Sequence, residues 1–306
     1  MANINVGIII KHLRKEKGLT QTQLSEGICS SRYLNKIENG ICMPSLEIVN
    51  LFSDRLCVNI YRYYFSSLRH KSLETHQKIE QLNEFLSPGQ IHNLKPLIEE
   101  LSLEKDFFDG EPFLVLSYAK AVYENAVNSD TASALQEIKK ALTVLPDIKN
   151  LEAEELLELT NVELNILLLS ASLYRKCGKD EESILFYTLL LKYITAYFNR
   201  STYSIFEDSH HSLMLIGHIL LSYIRSFPER LEELLPSVEK GIHILSTYKS
   251  MENLPELLYV YSISQKKSGN DEQWQQTYNK ASAIGELIYG REKTLDTFSK
   301  IDDLFK

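Results

Sequence analysis

Apolar residues recur at intervals of three and four along most of the chain, and the strict alternation typical of strands is absent. The chain has 306 residues but only 12 Gly and 8 Pro, the residues that most often interrupt helices. After residue 72 these interruptions fall near residues 88, 109, 146, 178, 228 and 269, and they separate paired helical segments. The pattern predicts an all-α protein of helices joined by short turns.

Residues 19–40 contain two short helical patterns separated by a compact turn. Thr20 and Gln23 have the spacing of a capping box, which predicts that a helix starts there. Either Ser30 or Ser31 is expected to cap the second helix, and Asn39-Gly40 to end it. The small side chain of Ser25 lets the two helices cross closely. The apolar residues that we expect to face the core are Leu24, Ile28, Leu34 and Ile37.

Helical patterns on both sides extend this segment to a five-helix domain. Residues 6–17 form a basic amphipathic segment, and residues 60–68 form a closing helix. Between residues 19–40 and that closing helix, Pro44-Ser45 opens another helical segment. Its predicted inward residues are Leu46, Val49 and Phe52 or Leu56.

The spacing of residues 19–40 is typical of a helix-turn-helix, in which the second helix enters the DNA major groove. Its outward positions carry short polar or cationic side chains, which can reach base edges and phosphates. Gln21 begins the first helix, where an amide beside a helix N-terminus can hold a phosphate. A helical hairpin without this role is the alternative interpretation. The candidate DNA-binding residues are Gln21, Ser30, Ser31, Arg32, Asn35, Lys36 and Asn39.

The charge distribution agrees with this division of the chain. Residues 1–72 hold ten Lys and Arg against five Asp and Glu, a net charge of +5. Because the whole chain carries −8, the remainder carries −13. A basic segment on an acidic body suits a protein that offers one end to phosphates. A charge of +5 supports modest affinity, so we expect a homodimer that binds two half-sites of double-stranded DNA.

Residues 167–190 show the order small, aromatic, turn glycine, small, aromatic that is typical of a tetratricopeptide repeat. The positions are Ala171, Tyr174, Gly178, Ser183 and Tyr187. Residues 258–281 repeat this order, with the large Trp274 where a small residue is usual. Residues 134–146 match in part, and the pairs at 72–104 and 209–245 match only as two helices with a turn.

We therefore expect two domains, with residues 1–70 forming the helix-turn-helix domain. Residues 71–306 are expected to form about five degenerate tetratricopeptide-like pairs in a right-handed superhelix, with a last helix over residues 283–304. The first helices of the pairs, near residues 113–126, 155–176, 209–226 and 255–268, would line a groove suited to an extended peptide. Paired amides such as Asn161 and Asn165 can clamp a peptide backbone, and a cation can meet its carboxylate. The candidate peptide-binding residues are Lys120, Asn125, Asn161, Asn165, Ser172, Arg175, His211, Met214, His218, Tyr259 and Lys266. The alternative for each of them is an ordinary solvated helix face.

The order LTQTQLSE, IC, IENG and PS in residues 19–45 resembles the helix-turn-helix of Cro/repressor-type proteins. More narrowly, it is similar to the peptide-pheromone-responsive regulators of Gram-positive bacteria, the Rap/NprR/PlcR/PrgX (RNPP) group, and within them to the PlcR-like branch. Cys29 departs from the Gly found in many repressors, and the turn is one residue shorter. The resemblance implies a repeat domain that binds a short re-imported peptide and mediates dimerisation, as in quorum sensing.

Other classes of function find little support in the sequence. No phosphate loop, nucleophile elbow or Ser-His-Asp order is present, so we expect no enzyme. The four cysteines form no metal-binding pattern and are expected to be reduced, mostly buried thiols, with a redox sensor as the less favoured interpretation. A metal site at His210, His211 and His218 is the less favoured interpretation of that cluster, and no metal or cofactor is expected. No apolar run approaches the roughly 20 residues that span a bilayer. Without an export signal either, we expect a cytoplasmic protein without membrane contact.

Two functions of different class remain open. The first is a DNA-binding transcription regulator controlled by a short signalling peptide in the repeat groove. The second is a helix-turn-helix repressor whose repeats bind a folded partner protein. They differ in what occupies the groove, and the sequence leaves the choice between them open.

Overall fold

The structure, a computed structural model, describes residues 5–67, 72–87, 89–199 and 209–306. All regular elements in these ranges are helices, which confirms the predicted all-α class. Contacts divide the chain into two compact units, with the boundary between Ala119 and Lys120. In the described ranges, no helix combines the length and the apolar character needed to cross a membrane.

The first unit begins with the five helices that the sequence predicts. They pack around one apolar core to which every helix contributes, including Ile9, Leu24, Ile37 and Phe52. The helices are α1 (Val6–Glu16), α2 (Gln21–Ser25), α3 (Ser31–Glu38), α4 (Leu46–Leu56) and α5 (Ile60–Ser67).

The predicted helix starts have a local cause in each case. The Thr20 hydroxyl accepts a hydrogen bond from the Gln23 backbone N–H at 3.2 Å, and the Gln23 side chain accepts one from the Thr20 N–H at 2.8 Å. Ser30, rather than Ser31, caps α3, and Ser45 caps α4. Gly40 has φ +69°, the left-handed conformation expected after the end of α3.

The prediction that Leu46 faces the core is wrong, because this residue is 63% exposed. The buried face of α4 is formed by Val49, Phe52 and Leu56. At 100° per residue, Leu46 lies about 90° away from the centre of that face. It is also the first residue of the helix, so no preceding turn of α4 covers it.

The first unit continues with α6 (Leu73–Phe85) and α7 (Leu94–Leu101), and α8 (Gly110–Ala126) follows them. The second unit contains pairs of antiparallel helices in two rows. In one row, α11 packs against α13 and α13 against α15, while α12 and α14 pack against each other behind them. The helices after α8 are α9 (Thr131–Leu142), α10 (Ala153–Leu156), α11 (Asn161–Lys176), α12 (Asp180–Asn199), α13 (Ser209–Ser226), α14 (Leu231–Thr247), α15 (Leu254–Lys267), α16 (Asp271–Tyr289) and α17 (Arg291–Asp302).

The repeat signature in residues 167–190 corresponds to the packing of α11 on α12. The Ser183 hydroxyl donates to the Ala171 carbonyl at 2.7 Å, which requires two small residues at the crossing. Nearby, the Tyr174 ring stacks on Phe186 with centroids 5.6 Å apart. Tyr187 is fully buried, and its hydroxyl lies 2.7 Å from the Ser222 hydroxyl on α13. The signature therefore marks packing within one pair and onto the next.

Two predicted helix boundaries are wrong. The helix expected over residues 155–176 is broken into α10 and α11, because Thr160 and Glu163 form a capping box that starts a new helix. The last helix was expected over residues 283–304. Instead, α16 continues to Tyr289, and Gly290, with φ +81°, separates it from α17.

We predict that Gly7→Ala destabilises the first unit. A methyl group at Gly7 would lie 1.8 Å from the Ile37 carbonyl oxygen, so α1 would have to move away from α3. The expected loss is about 1–3 kcal/mol, the usual effect of overpacking. Urea unfolding followed by circular dichroism measures it, with Lys15→Ala on the exposed side of α1 as the control. Equal stability of the two variants would contradict the close approach of α1 and α3.

Candidate DNA-binding surface and peptide-binding face

Helix α3 presents a polar and cationic face opposite its buried one. Leu34 and Ile37 are 0% exposed, and they fix α3 against the core. Arg32 and Lys36 are exposed and one turn apart, as are Asn35 and Asn39. The face therefore combines cations for phosphates with amides that can both donate to and accept from base edges.

The two candidate serines have different surroundings. The Ser30 hydroxyl accepts from the Tyr33 backbone N–H at 3.2 Å, and the residue is exposed at the N-terminus of α3. The Ser31 hydroxyl lies 3.1 Å from that of Ser25, at the crossing of α2 and α3. Ser30 is thus open to a ligand, while Ser31 also joins the two helices.

Gln21 belongs to a chain of side-chain hydrogen bonds that runs across the polar face of α3. Its amide nitrogen donates to Glu38 at 2.8 Å, and its oxygen accepts from the Asn35 amide at 3.5 Å. The Asn35 oxygen in turn accepts from Asn39 at 3.1 Å. An ionised carboxylate only accepts hydrogen bonds, so Glu38 sets the direction of the whole chain. It thereby orients the amides of Gln21, Asn35 and Asn39.

Glu38 is held in place by a buried ion pair with Arg14. Arg14 donates from Nε and from a terminal nitrogen to the two Glu38 oxygens, at 2.6 and 3.0 Å. Its other terminal nitrogen donates to the Leu19 carbonyl at 2.7 Å. The pKa of Arg14 is raised, mainly because of its hydrogen bond to Glu38. The sequence does not predict this pair, because its only local sign is that Arg14 and Glu38 each directly follow a buried residue.

Not all the cations of the basic segment are available to DNA. Arg14 is neutralised by Glu38, and Arg55 donates to backbone carbonyls of α2 and its C-terminal end, including that of Leu24 at 3.0 Å. Lys15, Arg32 and Lys36 are exposed. Among the cations whose side chains the structure describes, the free ones named here therefore lie on α3 and at the C-terminal end of α1.

In the second unit, α11 and α13 each leave one stripe of residues uncovered. On α11 this stripe carries Asn161, Asn165 and Ser172, whereas Leu164, Leu167 and Ala171 are buried. On α13 it carries Met214 and His218, one turn apart. We call these five residues the α11/α13 face. Asn161 and His218 are exposed, and Asn165, Ser172 and Met214 are half-buried.

Three of the other predicted residues are engaged in packing between helices. Arg175 donates to the Ser226 carbonyl at 3.0 Å and to Asp180 at 2.6 Å. Tyr259 is 8% exposed, and its hydroxyl donates to Asp302 at 2.8 Å. The Lys266 ammonium lies over the Trp274 ring, 4.6 Å from its centroid. These side chains join neighbouring helices rather than extending the open stripes.

The remaining candidates lie on α8 or at the start of α13. Lys120 and Asn125 are half-buried, and the Asn125 oxygen accepts from Lys176 at 2.8 Å. The side chain of His211 lies outside the described residues, as do those of Ser209 and His210. Five of the eleven predicted peptide-binding residues thus lie on the α11/α13 face, and their role in peptide binding stays a prediction.

Comparison with known proteins identifies the N-terminal domain and the fold of the chain. Residues 10–61 match the helix-turn-helix sequence family. The structure of PlcR from Bacillus thuringiensis, in complex with the peptide PapR7 and DNA, has a TM-score of 0.54 and 21% identity over 98% of both chains. Its apo form has a TM-score of 0.56 and 20% identity, over 97% of this chain and 98% of PlcR. Curated protein sequences give no significant match.

The chain therefore contains a helix-turn-helix domain at its N-terminus. Over nearly its whole length it has the fold of PlcR, a helix-turn-helix followed by helical repeats. The match confirms the predicted fold, and it agrees with the resemblance noted for residues 19–45.

We predict that Glu38→Gln destabilises the first unit by about 3–5 kcal/mol, because it leaves the buried Arg14 cation without its counter-ion. The double variant Arg14→Met/Glu38→Met is expected to lose less, since it buries no unpaired charge. Urea unfolding of the two variants and of the wild type makes the comparison. A single variant as stable as the double one would show that the ion pair is not buried as described.

Proposed function

We propose that the protein is a DNA-binding transcription regulator whose activity is controlled by a short signalling peptide. Helix α3 enters the major groove, and the α11/α13 face binds the peptide. The polar face of α3, fixed by the core beneath it, is the observation that carries this proposal. Catalysis has no part in it.

The DNA half rests on the geometry of α3 and the helix-turn-helix match. Arg32 and Lys36 are exposed cations on the outer face, and the oriented amides of Asn35 and Asn39 lie beside them. In such a surface, cations meet phosphates and set affinity, while amides read base edges and set specificity. Ser30 and Gln21 lie at the N-termini of α3 and α2, where phosphate oxygens are favoured.

The peptide half rests on the repeat architecture and on the open amides of α11. Stacked helix pairs provide an extended surface, which suits an extended ligand. Asn161 and Asn165 can each donate to and accept from a peptide backbone. PlcR, which shares the fold, has been determined with the peptide PapR7 and DNA, and this supports a ligand of the same class here.

The same proposal includes a cytoplasmic homodimer. Arg14 and Arg55 are engaged inside the domain, and two copies on adjacent half-sites would double the phosphate contacts of one copy. Light scattering of the free protein and of its DNA complex measures the stoichiometry.

We predict that Lys36→Ala weakens DNA binding by about five-fold or more and lowers the salt dependence by about one phosphate contact. Arg32→Ala is expected to have an effect of similar size. Fluorescence polarisation with DNA from the region upstream of the gene measures both variants. The control is Lys139→Ala, an exposed lysine on α9. Equal affinity of Lys36→Ala and Lys139→Ala would refute the assignment of α3.

We predict that Asn165→Ala weakens peptide binding while DNA affinity without peptide stays unchanged, because its amide lies in the second unit. Synthetic peptides encoded by small reading frames beside the gene are the ligands, and a change in DNA affinity is the readout. Asn279→Ala, an exposed amide on α16, is the matched control. DNA binding that no peptide alters would favour a folded partner protein as the ligand of the repeats.

A further inference from the structure

The connection between α14 and α15 packs closely on α13, beside Met214 and His218. Asn253 has φ +61°, and its amide lies 3.5 Å from the Met214 carbonyl oxygen. A methyl group at Gly217 would lie 2.5 Å from the Asn253 Cβ, so only glycine permits this approach. The close approach places Glu252, the preceding residue, beside His218.

Two carboxylates and an imidazole meet at this point. The Nε2 atom of His218 lies 3.8 Å from a Glu252 oxygen, and these two side chains are 52% and 43% exposed. Glu256, in the first turn of α15, is 8% exposed and lies close enough for its charge to act on His218. The Glu256 charge also acts on Tyr289, at the end of α16. The cluster thus has an exposed mouth and a buried acid beneath it.

The buried acid is incompletely compensated. In the described part of the chain, one Glu256 oxygen is buried and accepts no hydrogen bond, and the buried Ser250 hydroxyl on the same connection also has no partner. A buried carboxylate without full compensation is unfavourable, and a positive charge nearby offsets part of that cost.

The nearby cations do not supply that partner. Lys293 lies over the Tyr289 ring, 5.3 Å from its centroid, and Arg225 lies two turns along α13 from His218. The described residues include no ion pair between either cation and Glu256. Burial, the charge of Glu256 and a side-chain hydrogen bond to Glu256 raise the pKa of Tyr289 to about 12. The Tyr289 hydroxyl therefore stays protonated and compensates the carboxylate only in part.

We propose that Glu252, Glu256 and His218 form a subsite for a cationic group of the bound peptide, an ammonium or guanidinium. The ammonium contacts Glu252 and the His218 ring at the mouth, and Glu256 contributes its charge from beneath. This inference rests on the proposed peptide binding. It specifies the chemistry of one end of the ligand and adds Glu252 and Glu256 to the α11/α13 face.

The protonation of His218 fits this role. Burial lowers the pKa of His218 and outweighs the opposing effect of the Glu252 carboxylate. The ring is therefore neutral at pH 7, and a neutral imidazole has one nitrogen that accepts a hydrogen bond. An ammonium has three donors and no acceptor, so carboxylates and this nitrogen complement it.

Peptide pools of matched composition test the proposal with the full-length protein. The probes are heptapeptides with blocked termini that carry one lysine among uncharged residues, and the same peptides with norleucine in place of lysine. A third pool has norleucine and a free N-terminal amine. Affinity selection with mass spectrometry is expected to enrich the lysine or free-amine pool over the blocked norleucine pool. Calorimetry then gives the Kd of the best peptide and of its neutral counterpart.

For the cationic peptide, Glu256→Gln and Glu252→Gln are each expected to weaken binding about ten-fold, whereas affinity for the neutral counterpart is retained. Glu286→Gln, an exposed acid on α16, should change neither affinity. The Tm of Glu256→Gln without peptide is expected to equal or exceed that of the wild type, because an uncompensated charge is removed. A merely structural role for Glu256 would lower this Tm.

The outcomes separate this inference from the proposed function. Equal affinity for cationic and neutral peptides, or equal weakening of both by Glu256→Gln, would overturn the cationic subsite and leave peptide binding intact. Failure of every pool to bind the wild type would overturn peptide binding itself, and the subsite with it.

Discussion

The polar face of α3, the candidate DNA-binding surface, depends on one buried ion pair. Arg14 on α1 and Glu38 on α3 are the charged residues that join these helices, and they can approach because Gly7 leaves no side chain between α1 and the Ile37 carbonyl. A buried pair of this kind adds little net stability compared with apolar packing, but removing one partner leaves an unpaired charge. The pair therefore matters chiefly for geometry. It fixes the position of Glu38, and through Gln21 the direction in which the amides of α3 present donors and acceptors.

The repeat region is organised by a different kind of contact. Small residues allow close crossings within a pair, and aromatic residues join successive pairs, as the stacked rings of Tyr187 and Tyr223 show, with centroids 4.4 Å apart. Arg175 adds a polar link from the end of α11 to the end of α13, where its guanidinium also lies over Phe227 at 4.4 Å. These contacts fix the relative position of α11 and α13 without engaging the residues of the α11/α13 face.

Local signals in the sequence were sufficient for most of the fold, because helix caps and turn glycines act within a few residues. Thr20 with Gln23, Ser45 and Gly178 each predict a boundary that the structure contains. Long-range partners have no such local signal. Arg14 and Glu38 are 24 residues apart, and Tyr259 meets Asp302 across 43 residues. For the same reason the sequence placed Tyr259 and Arg175 among ligand contacts, although tertiary packing engages both. The prediction for Leu46 fails for a different reason. Leu46 lies about 90° from the centre of the buried face of α4, and a position that far round a helix is already on its surface.

The two parts of the chain carry opposite net charges and therefore attract ligands of opposite charge. Residues 1–72 carry +5 and residues 73–306 carry −13, so a phosphate backbone is attracted to the first part and repelled by the second. In the proposed function, a peptide with a cationic end experiences the opposite preference, and the incompletely compensated Glu256 lies where that end would bind. Electrostatics would then direct each proposed ligand to its own part of the chain before any specific contact forms. Because the two proposed ligands occupy different residues, control of DNA binding by the peptide would have to act through the protein, by a change in its conformation or its assembly.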